Sequence, residues 1–268
     1  MVKIKGTTGS LGSKHELDKF YTKDSIAKEY IEKLGVEDYG VVIEPSAGGG
    51  AFSRHIDGIN AYDLDPESVE VVKADWFKLD KEQFKGKGRV LVVGNPPFGR
   101  QGNLALRFIK EADFADTIAF ILPKSFKKIT IKNKIPMNFW LTHEEDCPKN
   151  SFTLLGEDYD VPCVFQVWEK REEIRTPIRL RTTSDYVEFT TKENSDFRVQ
   201  RVGGNAGKAY VNLDVSEQSN YFIKNNTGKS NEELIDIINK LNYPSVDDTV
   251  GPRSLSKGEF IQTLEDVL

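Results

Sequence analysis

The sequence predicts an α/β fold: a Rossmann-like, doubly wound, mostly parallel sheet followed by a small C-terminal α+β module. Short apolar runs typical of buried strands alternate with stretches of helical periodicity, which is the pattern of parallel strands connected by helices. A glycine-rich and a proline-rich turn directly follow two of these runs, where such a sheet binds its ligands. The 268 residues, 38% of them hydrophobic, suffice for one large domain with a small one appended.

The first elements can be placed from local signals. A leader rich in glycine, serine and threonine, residues 1–17, is expected to be flexible. Thr22 is a suitable N-cap for a helix over about residues 23–34, and Gly35 would close that helix. Four strands are then expected, at residues 41–43, around 59–62, in a short segment reaching Ala74, and over 90–93. These elements open a domain over residues 18–172.

The character of the chain changes after about residue 172. Residues 173–268 contain short strand-like runs and two helix starts of the capping-box type, Ser230 with Glu233 and Ser256 with Glu259. We therefore expect a small α+β module. Its basic and aromatic residues could contact nucleic acid as a recognition module, but a lid or a packing appendage is an equally good interpretation.

Charge and cysteine content limit the classes of function. A formal net charge of −5 argues against nonspecific coating of nucleic acid, so any contact with phosphates must be local. Two cysteines without paired spacing support neither a disulfide framework nor a zinc site. The absence of a signal-like segment and of a long apolar run predicts an intracellular protein. Two basic patches could serve a local contact: Lys124, Lys127, Lys128, Lys132 and Lys134, and Arg171, Arg175, Arg179, Arg181, Arg198 and Arg201.

The glycine-rich turn predicts a site for a small polar ligand. Residues 44–52 follow the strand at 41–43, and glycines there allow the backbone to approach a ligand while a following helix offers unpaired amides. The segment has neither the spacing of a dinucleotide site nor the lysine of a phosphate loop. Asp63 ends the next strand, where a carboxylate could accept both hydroxyls of a ribose. Asp65 is better explained as a turn or helix cap before Pro66.

Two further positions carry potential binding groups. Asp75 could accept a hydrogen bond from an adenine amino group, and the indole of Trp76 could stack on the adenine ring, although a core tryptophan in an edge strand is the competing interpretation. The turn over residues 95–98, Asn-Pro-Pro-Phe, follows the apolar strand at 90–93. It presents an amide side chain, a backbone carbonyl and an aromatic ring at one fixed point, which suits the grip on a flat base by its exocyclic amine. An ordinary β-to-α connection remains the alternative for this turn taken alone.

In order along the chain, these segments resemble the motifs of the class I S-adenosylmethionine-dependent methyltransferases that methylate N6 of adenine in DNA or RNA. The resemblance implies S-adenosyl-L-methionine as cofactor and nucleic acid as partner. It implies a catalytic turn formed by Asn95, Pro96, Pro97 and Phe98. It also implies cofactor contacts from Tyr21, Thr22, Glu44, Pro45, Ala47, Gly48, Gly50, Asp63, Asp75 and Trp76.

The resemblance extends over about residues 18–170. Residues 103–112 look like the helix that follows the catalytic turn, residues 117–123 like the next strand, and residues 161–170 like the late strand pair that closes the family sheet. Lys23 departs from the pattern, because many relatives carry proline there. The turn has Phe98 at the position where the relatives that methylate glutamine in release factors would carry tyrosine. This difference argues against that activity.

The leading hypothesis from the sequence is therefore an adenine-N6 methyltransferase acting on nucleic acid. DNA is preferred over RNA, because the appended module resembles the recognition domains of modification enzymes. An RNA adenine-N6 methyltransferase is the alternative enzyme. A catalytically silent, nucleic-acid-binding subunit with the methyltransferase fold is the alternative without activity.

Overall fold

A computed structural model of the protein describes residues 20–268. The leader expected to be flexible, residues 1–17, lies outside the described residues. The strands are β1 (Tyr21–Thr22), β2 (Val41–Glu44), β3 (Asn60–Asp63), β4 (Val72–Lys73), β5 (Val90–Gly94), β6 (Thr117–Pro123), β7 (Phe139–Asp146), β8 (Phe152–Leu154), β9 (Glu157–Tyr159), β10 (Cys163–Lys170), β11 (Val187–Thr190), β12 (Phe197–Gln200), β13 (Ala209–Tyr210) and β14 (Asn220–Asn225). The helices are α1 (Asp24–Glu32), α2 (Asn103–Glu111), α3 (Ile129–Lys132), α4 (Asn231–Lys240) and α5 (Lys257–Glu265).

The central sheet has seven strands in the order β4-β3-β2-β5-β6-β10-β7. Neighbouring strands from β4 to β6 are parallel, whereas β10 runs antiparallel to both β6 and β7. Helix α1 covers one face, with Ala27, Tyr30 and Ile31 packed beside Leu91 and Val93. Helix α2 belongs to the core on the other face. The Rossmann-like, mostly parallel sheet predicted from the sequence is confirmed.

The order of strands also places the ligand-binding edge. Strands β2, β3 and β5 are adjacent and parallel, so their carboxyl ends meet on one side of the sheet. Those ends are Glu44, Asp63 and the turn that begins at Asn95. Strand order changes direction between β2 and β5, which is where open α/β sheets bind ligands.

The closing strand pair differs from the prediction. Residues 161–170 contribute one strand, β10, and its edge partner is β7, which the sequence did not indicate. Strand β7 is only partly buried and mixes Trp140 and Leu141 with His143, Glu144 and Glu145. It therefore lacks the apolar run that marked the other strands.

The start of α1 also corrects the prediction. Its N-cap residue is Lys23, without a capping side chain, while Thr22 belongs to β1 and pairs with Phe152 of β8. The backbone N–H of Lys23 donates to the Ser151 carbonyl at 2.9 Å, and Lys23 Nζ lies 2.7 Å from Asp158. Proline has no N–H to give. Through these two contacts, Lys23 attaches the β8-β9 hairpin to the start of α1.

Residues 187–264 pack around a core of their own, formed on the sheet β11-β14-β12-β13 by α4 and α5. The capping box at Ser230 and Glu233 is complete. At α5 only half of the predicted box forms, because Glu259 binds the backbone N–H and the hydroxyl of Ser245 instead of the cap. Within residues 20–268, no helix has the length and apolar character needed to span a bilayer.

Candidate active site

A cavity of about 560 Å³ opens at the carboxyl edge of β2, β3 and β5. It brings together nearly every residue that the sequence singled out: Tyr21, Thr22, Glu44, Pro45, Ala47, Gly48, Asp63, Asp75, Trp76, Asn95, Pro96, Pro97 and Phe98. Gly50 does not line the cavity. It is buried in the turn behind the lining residues, with a positive φ of 82°.

The glycine-rich segment differs from the predicted strand-to-helix turn. It leads only into a short 3₁₀ turn, Ser53–His55, before the chain returns to β3. No helix N-terminus therefore faces the cavity from this segment. Gly48 instead has a φ of 52°, and its backbone N–H donates to Asp63 Oδ2 at 2.8 Å. The loop is held in place by the next strand.

Arg54, which the sequence analysis missed, fixes the same loop from the other side. Its Nε donates to the Gly50 carbonyl at 3.0 Å, and one terminal nitrogen donates to the Gly49 carbonyl at 2.7 Å. The other terminal nitrogen lies 3.1 Å from Asp24. Arg54 and Asp24 both line the cavity. The one available sequence signal was a cation four residues after the last of these glycines.

Glu44 is a buried acid at the floor of the cavity, with 2% of its surface exposed. Burial raises the pKa of its carboxyl from 4.5 to about 8, although the hydrogen bond from Ser53 to Oε2, at 3.0 Å, opposes the shift. The nearby charge of Asp63 raises the pKa further and that of Arg54 lowers it. Glu44 is therefore mostly protonated at neutral pH.

A raised pKa in the folded state makes stability depend on pH. Between pH 4.5 and about 8 the unfolded chain releases the Glu44 proton and the folded protein keeps it, so stability falls as pH rises by at most about 1.4 kcal/mol per pH unit. We expect this slope to be absent in Glu44→Gln, which resembles the protonated acid and can still accept from Ser53. Thermal melts of both proteins from pH 5 to 8 test this; parallel curves would contradict the assignment.

Asp63 combines two tasks. Its Oδ1 accepts the Asp65 backbone N–H at 2.8 Å, while Oδ2 accepts from Gly48. A carboxylate oxygen has a second lone pair, so each can also accept from a hydroxyl in the cavity. Asp65 itself is exposed and no helix follows it, so of the two roles expected for it, a turn or a helix cap, the turn is the one that the structure shows. It is the residue at which the Asp63 side chain closes a turn.

Asp75 and Trp76 are placed differently from one another. The Asp75 side chain accepts from the Phe77 backbone N–H at 3.0 Å and starts a short 3₁₀ turn. The indole of Trp76 is 2% exposed and packs in the core beside Phe114, so it cannot stack on a ring in the cavity. The competing interpretation, a core tryptophan, is the right one for the side chain. Phe77, half-buried and lining the cavity, is the aromatic ring available there.

The turn after β5 holds one of the buried polar atoms of the cavity lining that lack a hydrogen-bond partner within residues 20–268, as Thr22 Oγ1 and Trp76 Nε1 also do. Asn95 Nδ2 donates to the Phe20 carbonyl at 3.3 Å, which fixes the orientation of the carboxamide. Asn95 Oδ1 is buried and has no hydrogen-bond partner within residues 20–268. Phe98 is half-buried, and its carbonyl accepts from Leu104 and Ala105 at the start of α2. The turn is thus tied down at both ends.

Three solved structures are similar to parts of this chain. A protein from Pyrococcus horikoshii, proposed to be an RNA methyltransferase, matches at 23% identity with a TM-score of 0.41, over 63% of this chain and 93% of its own. The 23S rRNA methyltransferase ErmE matches at 16% and 0.42, over 57% of this chain and 71% of its own. A modification subunit of a proposed type I restriction enzyme from Vibrio vulnificus matches at 16% and 0.38, over 59% of this chain and 46% of its own. No family profile and no curated protein matches the sequence.

The fold assignment rests on the sheet itself. Numbered along the chain within the central sheet, the strands lie in the order 3-2-1-4-5-7-6, and only the seventh is antiparallel. With helices on both faces, this is the Rossmann-like fold of the class I methyltransferases. The cavity lies where that fold binds its ligands.

Proposed function

We propose that the protein is an S-adenosylmethionine-dependent methyltransferase that modifies N6 of adenine in nucleic acid. The observation that carries the proposal is the buried, unpartnered Oδ1 of Asn95. A buried acceptor without a donor costs about 1–3 kcal/mol, and such exceptions occur at functional sites. An exocyclic amine would supply the missing N–H.

The chemistry of an aromatic amine explains why such a group is useful. The N6 lone pair is delocalised into the ring, so the nitrogen reacts better when acceptors hold its two N–H groups and allow it to become pyramidal. Asn95 offers Oδ1, and the backbone carbonyl of Pro96 offers a second acceptor. Neither group has to ionise. Phe98 provides a face for stacking, and the two prolines restrict the turn before the substrate arrives.

The other cavity residues fit the cofactor. Asp63 would accept the ribose hydroxyls, Asp75 the adenine amino group, and the loop around Gly48 would lie along the methionine end. The bound cofactor supplies an electrophilic methyl group on a sulfonium. The apolar lining from Phe77, Leu104 and Phe108 suits flat rings and excludes water from the point of transfer.

Access to the cavity limits how an adenine can reach Asn95. An adenine within a duplex would have to be flipped out of the stack to reach Asn95, whereas an unpaired adenine would not. DNA as the preferred substrate remains a prediction from the sequence. The site gives no support to the silent-subunit alternative. A subunit without activity would not need the free Asn95 acceptor, and that acceptor is present.

One experiment separates these possibilities. The purified protein is incubated with methyl-labelled S-adenosylmethionine in three separate reactions. One contains unmodified DNA, one contains RNA and one contains a protein extract. We expect label in DNA, with RNA as the alternative substrate, and none in protein. Label in protein alone would contradict the proposal, and cofactor binding without transfer to any pool would favour the silent subunit.

A further inference from the structure

The basic patches predicted from the sequence are largely neutralised in the fold. Lys124 and Lys127 both bind Asp146, and Lys132 binds Glu144, at 2.8 to 2.9 Å. Lys128 Nζ donates to the carbonyl and the hydroxyl of Ser254 in the C-terminal module. These lysines join parts of the protein to one another, so they offer little free charge to a phosphate.

The arginine patch is also occupied. Arg175 donates to the carbonyls of Phe139, Lys132 and Ile135, and Arg181 pairs with Glu265. Arg198 binds Asn212 and Asn220 and lies over Tyr210. Arg201 lies over Tyr221 and donates to the Gln218 carbonyl. Most of this patch supports the fold of its own region.

A different set of cations has no carboxylate partner within residues 20–268. Arg100, Arg107 and Lys110 are all exposed, and none has a carboxylate within 4 Å in the part of the chain from residue 20 onward. Glu111, the residue next to Lys110 in the sequence, is already paired with Lys81, whose Nζ lies 2.6 Å from Glu111 Oε1. We call Arg100, Arg107 and Lys110 the α2 ridge.

The α2 ridge starts at the catalytic turn and follows one face of a helix. Arg100 comes two residues after Phe98, while Arg107 and Lys110 lie on the exposed side of α2. The Arg107 guanidinium lies 4.4 Å from the ring centroid of Phe77, which lines the cavity. Residues three apart on a helix have their Cβ atoms about 5–6 Å apart.

The loop that carries Arg100 is conformationally restricted. Gly99 and Gly102 have φ angles of 64° and 73°, and a Cβ there would lie 2.7 Å from Leu104 Cβ and 2.8 Å from the Phe126 ring. Gln101 between them also has a positive φ, 57°, which is uncommon for a residue with a side chain. Such backbone conformations persist where the surroundings enforce them, and they concentrate at functional sites.

We propose that the α2 ridge binds the sugar–phosphate backbone next to the target nucleotide and sets the adenine opposite Asn95. This inference rests on the proposed function and adds to it the surface that receives the nucleic acid. Three exposed cations without a carboxylate partner in the described chain, of which Arg107 contacts a residue that lines the cavity, provide a local attraction for phosphates in a protein whose net charge is −5. Arg100, Arg107 and Lys110 are substrate-positioning residues in this account.

The test compares two variants with the same change in charge. In the ridge variant, Arg100, Arg107 and Lys110 are replaced by glutamine; in the control variant, Lys124, Lys127 and Lys132 are. Binding of a short fluorescent single-stranded oligonucleotide, as DNA and as RNA, is titrated over a range of salt concentrations. For the ridge variant we expect affinity to fall at least tenfold and the slope of log affinity against log salt to flatten by about 2, since each lost contact removes about 0.7. The control should keep the wild-type slope.

Methylation of the same oligonucleotide by the wild type is measured in parallel. It separates a failure of the α2 ridge proposal from a failure of the proposed function. If the wild type methylates the probe but the ridge variant binds with unchanged affinity and slope, the ridge is wrong and the proposed function stands. An equal loss in both variants would also overturn the ridge, because it would show general electrostatics. If the wild type neither binds nor methylates either probe, the proposed function fails and the ridge with it. Calorimetric titration with S-adenosylmethionine should give the same affinity for all three proteins.

Discussion

Replacement of Asn95 by alanine is expected to lower turnover by roughly 100-fold or more while the affinity for S-adenosylmethionine stays near that of the wild type. The physical reason is that Oδ1 has no partner within residues 20–268 and, under the proposed function, would gain its donor only when the reacting amine arrives. The interaction then contributes to the reaction more than to cofactor binding. Single-turnover rates and calorimetric titration of the cofactor measure the two quantities separately.

A local control shows that the acceptor is the group responsible. Ser46 also lines the cavity, and its hydroxyl makes only a long contact of 3.4 Å with the Asn95 carbonyl. Ser46→Ala should retain turnover within about threefold, since a weak bond contributes little. Full activity of Asn95→Ala would remove Asn95 from the mechanism. A parallel loss of cofactor affinity would mean that the side chain supports the loop instead.

Replacement of Asp63 by alanine is expected to weaken S-adenosylmethionine binding by roughly 100-fold, the effect of removing about 3 kcal/mol. Two contributions would be lost together, because Asp63 anchors the Gly48 amide and, under the proposed function, also offers acceptors to the ribose. Asp57→Ala is the charge-matched control, since Asp57 is exposed and does not line the cavity. Calorimetry on the three proteins gives the affinities.

A cofactor analogue separates the two contributions of Asp63. S-adenosylhomocysteine and its counterpart without ribose hydroxyls are titrated against the wild type and Asp63→Ala. If Asp63 binds the ribose, the missing hydroxyls weaken binding to the wild type and have little effect in the variant. Equal penalties in both proteins would assign Asp63 to loop anchoring alone.

The local sequence was enough to predict a strand or a helix where its residue pattern was contiguous. The strand over residues 117–123 and the helix after the turn at residues 95–98 were predicted closely, because each has an uninterrupted apolar or helical pattern. The residues predicted to share a site meet in one cavity, since parallel strands bring their carboxyl ends together. Contacts between distant segments could not be inferred in this way.

Three examples show why. The donation from Lys23 to Ser151 joins segments far apart in the chain, so lysine at that position looked like a mere departure from the family pattern. The lysines after β6 looked like a basic patch because their partners, Asp146 and Glu144, belong to a strand that was not foreseen. Trp76 lines the cavity as expected, but its indole, which was expected to stack on a ligand ring, packs in the core. Each error concerns the packing partner of a residue and not the local structure around it.

The chemical identity of the methylated atom tests the central claim most directly. Nucleic acid labelled by the protein is digested to nucleosides, which are separated and identified by mass spectrometry. The account predicts label in N6-methyladenine nucleosides, lost together with activity in Asn95→Ala and retained in Ser46→Ala. Label confined to a ring nitrogen, a ring carbon or a cytosine would contradict it, because the free Asn95 acceptor would then have no adenine amine to bind.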